Sequence, residues 1–135
     1  MAIARSSIDG FAGIYRPLRE GLGVEAFGLA ALVLPPGTEQ VTHFHQRQDE
    51  VYLVHRGRAG FRIGAEEAEL GEGELVHVRS TTPRNFWNAG DEDLVLIAIG
   101  GQDGYVDGDA ELVDPADLPR VEALMRGDAE GIRRR

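Results

Sequence analysis

Between Gly37 and Gly57 the sequence GTEQVTHFHQRQDEVYLVHRG places His43, His45 and Glu50 within eight residues. In a strand, side chains two apart point to the same face, so the two imidazoles lie together. If residues 41–45 and 50–56 form a hairpin joined by the loop 46–49, His45 stands opposite Glu50 and His43 opposite Tyr52. Opposed Cβ atoms are then ~4.5–5.5 Å apart, close enough for all three polar groups to converge. Two neutral imidazoles and one carboxylate are the ligand set of a facial triad, which suits Fe(II) and also Mn, Ni, Co or Zn. Left without a partner on an inward face, the same three groups would be costly to bury.

The surrounding segments must supply that inward face. Turn signals recur at Pro35-Pro36-Gly37, Gly57, Gly64, Gly71-Glu72-Gly73, Asn88-Ala89-Gly90 and Gly100-Gly101. Between them lie short runs rich in β-branched, aromatic and aliphatic residues, among them EVYLVHR, AGFRIG, ELVHVR and LVLIAI. Many short strands at this spacing predict an all-β sandwich or barrel. Near the C-terminus, DPADLPRVEALMRG carries an N-cap at Asp114, Pro115 at the first helical position, and Val121, Leu124 and Met125 at helical spacing. The expected organisation is an N-terminal arm over residues 1–20, a barrel over 21–112, and a helix and tail over 113–135, with IRRR frayed at the end.

Composition narrows the partners. The 135 residues carry 23 acidic and 14 basic side chains, a net charge of −9, so nucleic acid and anionic membranes are not expected to bind. All the basic residues are arginine, which removes lysine-based covalent chemistry. No cysteine is present, so disulfides, thiolate ligands and thiol nucleophiles are excluded. MAIARSSIDGFAG has no apolar signal-peptide core and no run is long enough for a membrane helix; a cytoplasmic location is expected.

Gly37, His43, His45, Glu50 and Gly57 stand at the spacings of the first cupin motif, and the stretch from about residue 22 to 100 resembles the cupin superfamily. The resemblance implies a small single-domain jelly-roll barrel, often a homodimer, with a metal near one mouth. Its second motif is altered. GELVHVRSTTPRNFWN keeps Gly73 and Asn88 but has Arg79, Thr81 and, at the place of the fourth ligand, Arg84. A permanently charged guanidinium does not coordinate a metal.

Three readings follow. Arg84 points into the pocket and clamps an anionic ligand, a carboxylate or phosphate, beside a three-ligand metal; His77 serves as a displaced fourth ligand; or the metal is lost and Arg84 pairs with Glu50. The first takes precedence. Tyr52 and Phe86 are expected to line the same pocket, with Trp87 facing the other way. The function implied is a metal-dependent dioxygenase, isomerase, cyclase or lyase acting on a small anionic metabolite. The alternative is a non-catalytic cupin that binds or senses a small molecule without metal.

Overall fold

Period-two alternation dictates most of the chain, and in the computed structural model, which describes residues 2–135, it becomes ten strands. In chain order they are β1 (Tyr15–Pro17), β2 (Gly28–Leu34), β3 (His43–His45), β4 (Asp49–Arg56), β5 (Ala59–Ile63), β6 (Glu66–Leu70), β7 (Leu75–Val78), β8 (Arg84–Asn88), β9 (Leu94–Gly101) and β10 (Ala110–Leu112). Among the described residues they form two five-stranded antiparallel sheets, ordered β1-β2-β9-β4-β7 and β10-β3-β8-β5-β6. The two sheets close on each other as the expected jelly roll.

Inward-facing residues of both sheets make the core. Leu34, Val54, Phe61 and Leu96 have no exposed surface. Tyr52, Phe61 and Phe86 pack as a trio with ring centroids 5.3–5.5 Å apart, tilted to one another. Each buried aromatic contributes roughly 1.5–3 kcal/mol, and together the three wall off the base of the barrel. Gly60 faces the indole of Trp87, where a Cβ would lie 2.1 Å from the ring, so only glycine admits that side chain.

Three expectations need correction. Residues 41–45 and 50–56 do not form a hairpin: β3 pairs with β10 and β8 in one sheet, while β4 pairs with β7 and β9 in the other. Alternating side chains look alike in a hairpin and in a strand that turns the corner between sheets, and here the corner wins. Gly100 and Gly101 are not a turn but the end of β9, opposite Glu50 and Asp49. The C-terminus is docked rather than frayed. Ile132 is fully buried, Arg133 bridges to Thr38, and the Arg134 amide donates to the Gly37 carbonyl at 2.8 Å.

The helix forms where the capping residues require. The Asp114 carboxylate accepts from the Ala116 amide at 3.0 Å, residues Pro115–Asp117 make one 3₁₀ turn, and α1 (Leu118–Arg126) follows. It stops at Gly127 in the left-handed region, φ +78°, where a Cβ would also meet the Ala12 carbonyl at 2.7 Å. Ala123 and Leu124 are buried and close one end of the barrel.

Candidate metal centre

His43 and His45 reach inward from β3, two strand positions apart on the same face, and Glu50 reaches inward from β4 on the facing sheet. The three residues therefore meet across the barrel and not along a hairpin. The corner between them is held by Asp109, whose buried carboxylate accepts from the amides of Arg47 (3.1 Å) and Gln48 (2.9 Å). Glu50 has room because its neighbour on β9 is Gly100, where a Cβ would sit 3.1 Å from the Glu50 Cγ.

One ligand atom from each of the three residues lies within 4.8 Å of the others. His43 Nδ1 is 3.0 Å from the Val41 carbonyl, which can only accept, so Nδ1 carries the proton and Nε2 keeps its lone pair. Burial holds His43 below the ordinary imidazole range and keeps it neutral. His45 Nδ1 faces the Asp109 carboxylate at 3.4 Å and the Gln48 amide nitrogen at 3.3 Å; its Nε2 is 2.9 Å from Glu50 Oε1. The same Oε1 accepts from the Tyr52 hydroxyl at 2.6 Å. Burial pushes the Glu50 carboxyl up, but the His45 and Tyr52 hydrogen bonds outweigh it, and the group lies below its ordinary value. Tyr52 moves well above its usual range through burial and the Glu50 charge, so it stays a neutral phenol.

The donor set fits a divalent metal. In metal-binding histidines the nitrogen away from the metal donates to a backbone carbonyl or a carboxylate, as His43 Nδ1 is placed to do here with the Val41 carbonyl. Two ligands bound at ~2.1 Å and at right angles lie about 3 Å apart, and the Nε2–Oε1 separation of 2.9 Å matches that spacing.

The other residues singled out from sequence fall into place unequally. Tyr52 and Phe86 line the same cavity as the three donors. His77 stands on the outer face of β7, half-exposed and 3.2 Å from the Asp49 carboxylate, and is not brought to the cluster. Arg84, expected to reach a ligand, does not line the cavity. Its guanidinium is wholly buried behind Glu50, with Nη1 3.5 Å from Oε1 and Nη2 donating to the Arg79 carbonyl at 2.8 Å. Nε and Nη1 have no hydrogen-bond partner among the described residues.

Sequence reasoning passed over Asp109 and Gln48. Asp109 is one of several acids in the stretch GQDGYVDGDAEL, and no local pattern marks it as the residue that fastens the corner.

The cavity holds about 460 Å³ and runs from the three donors to the underside of α1. At one edge the Arg19 guanidinium lies 3.9 Å above the Tyr105 ring.

Comparison with known proteins agrees with this architecture. The sequence model of the family described as "Cupin domain" matches residues 31–100. An uncharacterized protein of Methanocaldococcus jannaschii is 26% identical over 51% of this chain and 55% of its own, so the chain spans just over half that relative's length. The oxalate-binding protein of Thermotoga maritima is 25% identical over 60% of this chain and 67% of its own. A Klebsiella pneumoniae protein with a double-stranded β-helix domain superposes with a TM-score of 0.65 at 17% identity, covering 83% of this chain and 98% of that one.

Proposed function

This chain belongs to the cupin family, and we propose that His43, His45 and Glu50 hold one divalent transition metal at which a small anionic metabolite is bound and transformed. The observation that carries this reading is the convergence of one donor atom each from His43, His45 and Glu50 within 4.8 Å, with His43 Nδ1 already held by the Val41 carbonyl so that its Nε2 faces the cluster. A metal so held would supply Lewis-acid activation or, as Fe(II), dioxygen chemistry, which places the reaction among dioxygenases, isomerases, cyclases and lyases.

The charges argue for an anion. Arg84 and Glu50 offset each other and the buried Asp109 carboxylate adds one negative charge beside His45, so a divalent ion leaves the inner cavity with an excess of about one positive charge. A carboxylate offsets that excess. Arg84 acts in this reading through the positive field it adds behind Glu50, without touching the ligand. Tyr52 steadies the Glu50 carboxylate by its hydrogen bond, and Phe86 keeps water from that side.

A second reading is a metal-free cupin that only binds a small molecule. The Arg84–Glu50 contact favours it, since a resident cation already serves the carboxylate, and the Thermotoga relative is named for binding rather than catalysis. Elemental analysis of untagged protein separates the two. Near-stoichiometric iron, manganese, nickel, cobalt or zinc, lost in His43→Ala while the fold is kept, supports the metal centre. A wild type that takes up none of these ions leaves the binding reading.

A homodimer and a cytoplasmic home complete the proposal. Among the described residues no helix is long and apolar enough to cross a membrane. The outer face of the first sheet is apolar, with Val51, Leu53, Leu75, Val95, Ile97 and Ile99 on three adjacent strands. Such a face fits a second copy of the chain.

A further inference from the structure

The cavity has two unlike ends. Its inner end carries His43, His45, Glu50 and Tyr52, while the wall toward α1 and β10 is made by Leu32, Val106, Leu112, Val121, Leu124 and Met125. The charged residues on that outer wall are engaged with protein groups. Arg19 donates to the Val24 carbonyl at 3.2 Å, pairs with Glu20 at 3.4 Å and lies on Tyr105, and Glu111 accepts from Gln46. What remains for a ligand there is chiefly hydrocarbon, with the Tyr15 phenol beside it. At the ~30 Å³ that one water occupies in the liquid, a chamber of this size takes about fifteen non-hydrogen atoms, so a molecule as small as oxalate leaves most of it unfilled.

We propose that the ligand is an amphiphilic monocarboxylate, its head at the His43–His45–Glu50 centre and an aliphatic or aromatic body in the chamber under α1. The inference rests on the metal reading for the head and on the chamber alone for the body. Polar groups at one end fix the orientation, and the apolar remainder contributes affinity in proportion to the surface it covers. The chamber thus selects for chain length and against short, fully polar acids.

The test is calorimetric titration of the straight-chain alkanoates from acetate to dodecanoate, with oxalate beside them. The proteins are metal-loaded wild type, His43→Ala, Val121→Asp in the chamber and Ile97→Asp on the outer sheet face. Wild type is expected to tighten about fourfold per methylene until the chamber is full. That gain should be lost in Val121→Asp and kept in Ile97→Asp. If Val121→Asp does not fold, Leu118→Asp, on the same wall but half-exposed, takes its place.

Oxalate and acetate binding with no gain along the series overturns the inference and leaves the metal reading standing. A gain that survives in His43→Ala upholds the chamber and removes the metal from head-group binding. A gain that survives the chamber variants, or disappears with Ile97→Asp, overturns the inference.

Discussion

Glu50 Oε1 is the atom where the centre's interactions meet, with His45, Tyr52 and Arg84 all directed at it. Glu50→Gln keeps the shape but removes the charge. It should lower metal affinity on the order of 10–100-fold or more in an equilibrium dialysis measurement, with the near-ultraviolet circular dichroism unchanged. Arg84→His should act in the opposite direction. It takes a buried positive charge away and returns an imidazole beside His43, its strand partner, so binding should tighten by about 10–100-fold. Unaltered affinity would mean that Arg84 does not act on the metal at all.

The same residues set a pH dependence. His43 titrates below its ordinary 6.5 because burial disfavours the imidazolium. Glu50 titrates below its ordinary 4.5 because its hydrogen bonds from His45 and Tyr52 outweigh burial. In both cases the unfolded chain takes up its proton at a higher pH than the folded protein does. The stability contributed is therefore intact above 6.5 and falls as pH drops, first through the His43 range and then below 4.5. Urea midpoints of the metal-free protein across that range should decline monotonically toward acid. A midpoint that rises on acidification would contradict the neutral His43 and the anionic Glu50.

At the scale of elements, the centre depends on a corner rather than a turn. Asp109, arriving on the segment before β10, ties the amides of Arg47 and Gln48 so that β3 can leave one sheet and β4 enter the other. Asp109→Ala leaves those donors unpaired and frees His45 Nδ1. The expected cost is about 1–3 kcal/mol by chemical denaturation, with metal affinity lower on the order of tenfold. If only stability changed, Asp109 would fasten the corner without orienting His45. The hairpin reading failed here for a physical reason. Alternation along VTHFH and EVYLVHR specifies which side chains face inward, and it does so equally for strands in one sheet or in two. Gly100 misled in a similar way, since a glycine signals a turn as readily as a close approach, and its role beside Glu50 is the second.

For the whole molecule, the apolar outer face of the first sheet is the surface that calls for a partner. Light scattering on wild type should give about twice the 14.7 kDa chain mass, and Ile97→Glu should return the chain to that mass with its fold retained. A wild-type monomer at all concentrations would reject the homodimer. The docked C-terminus belongs to this scale as well. Arg134 stacks on Trp87 at 4.2 Å and Ile132 fills the barrel end, where IRRR is expected from sequence to fray.

The sequence by itself determined the all-β class, the helix signals from Asp114 to Gly127, and the three residues whose donors come together. All of these rest on local rules: a period of two in strands, capping and turn chemistry, and the short spacing of His43, His45 and Glu50. Only the tertiary structure decided which sheet each strand joined, that Arg84 sits buried behind Glu50, that Asp109 fastens a corner 61 and 62 residues away, and that α1 roofs an apolar chamber. Those outcomes depend on which distant segments exclude water together, and burial between segments far apart leaves no periodic mark on either one.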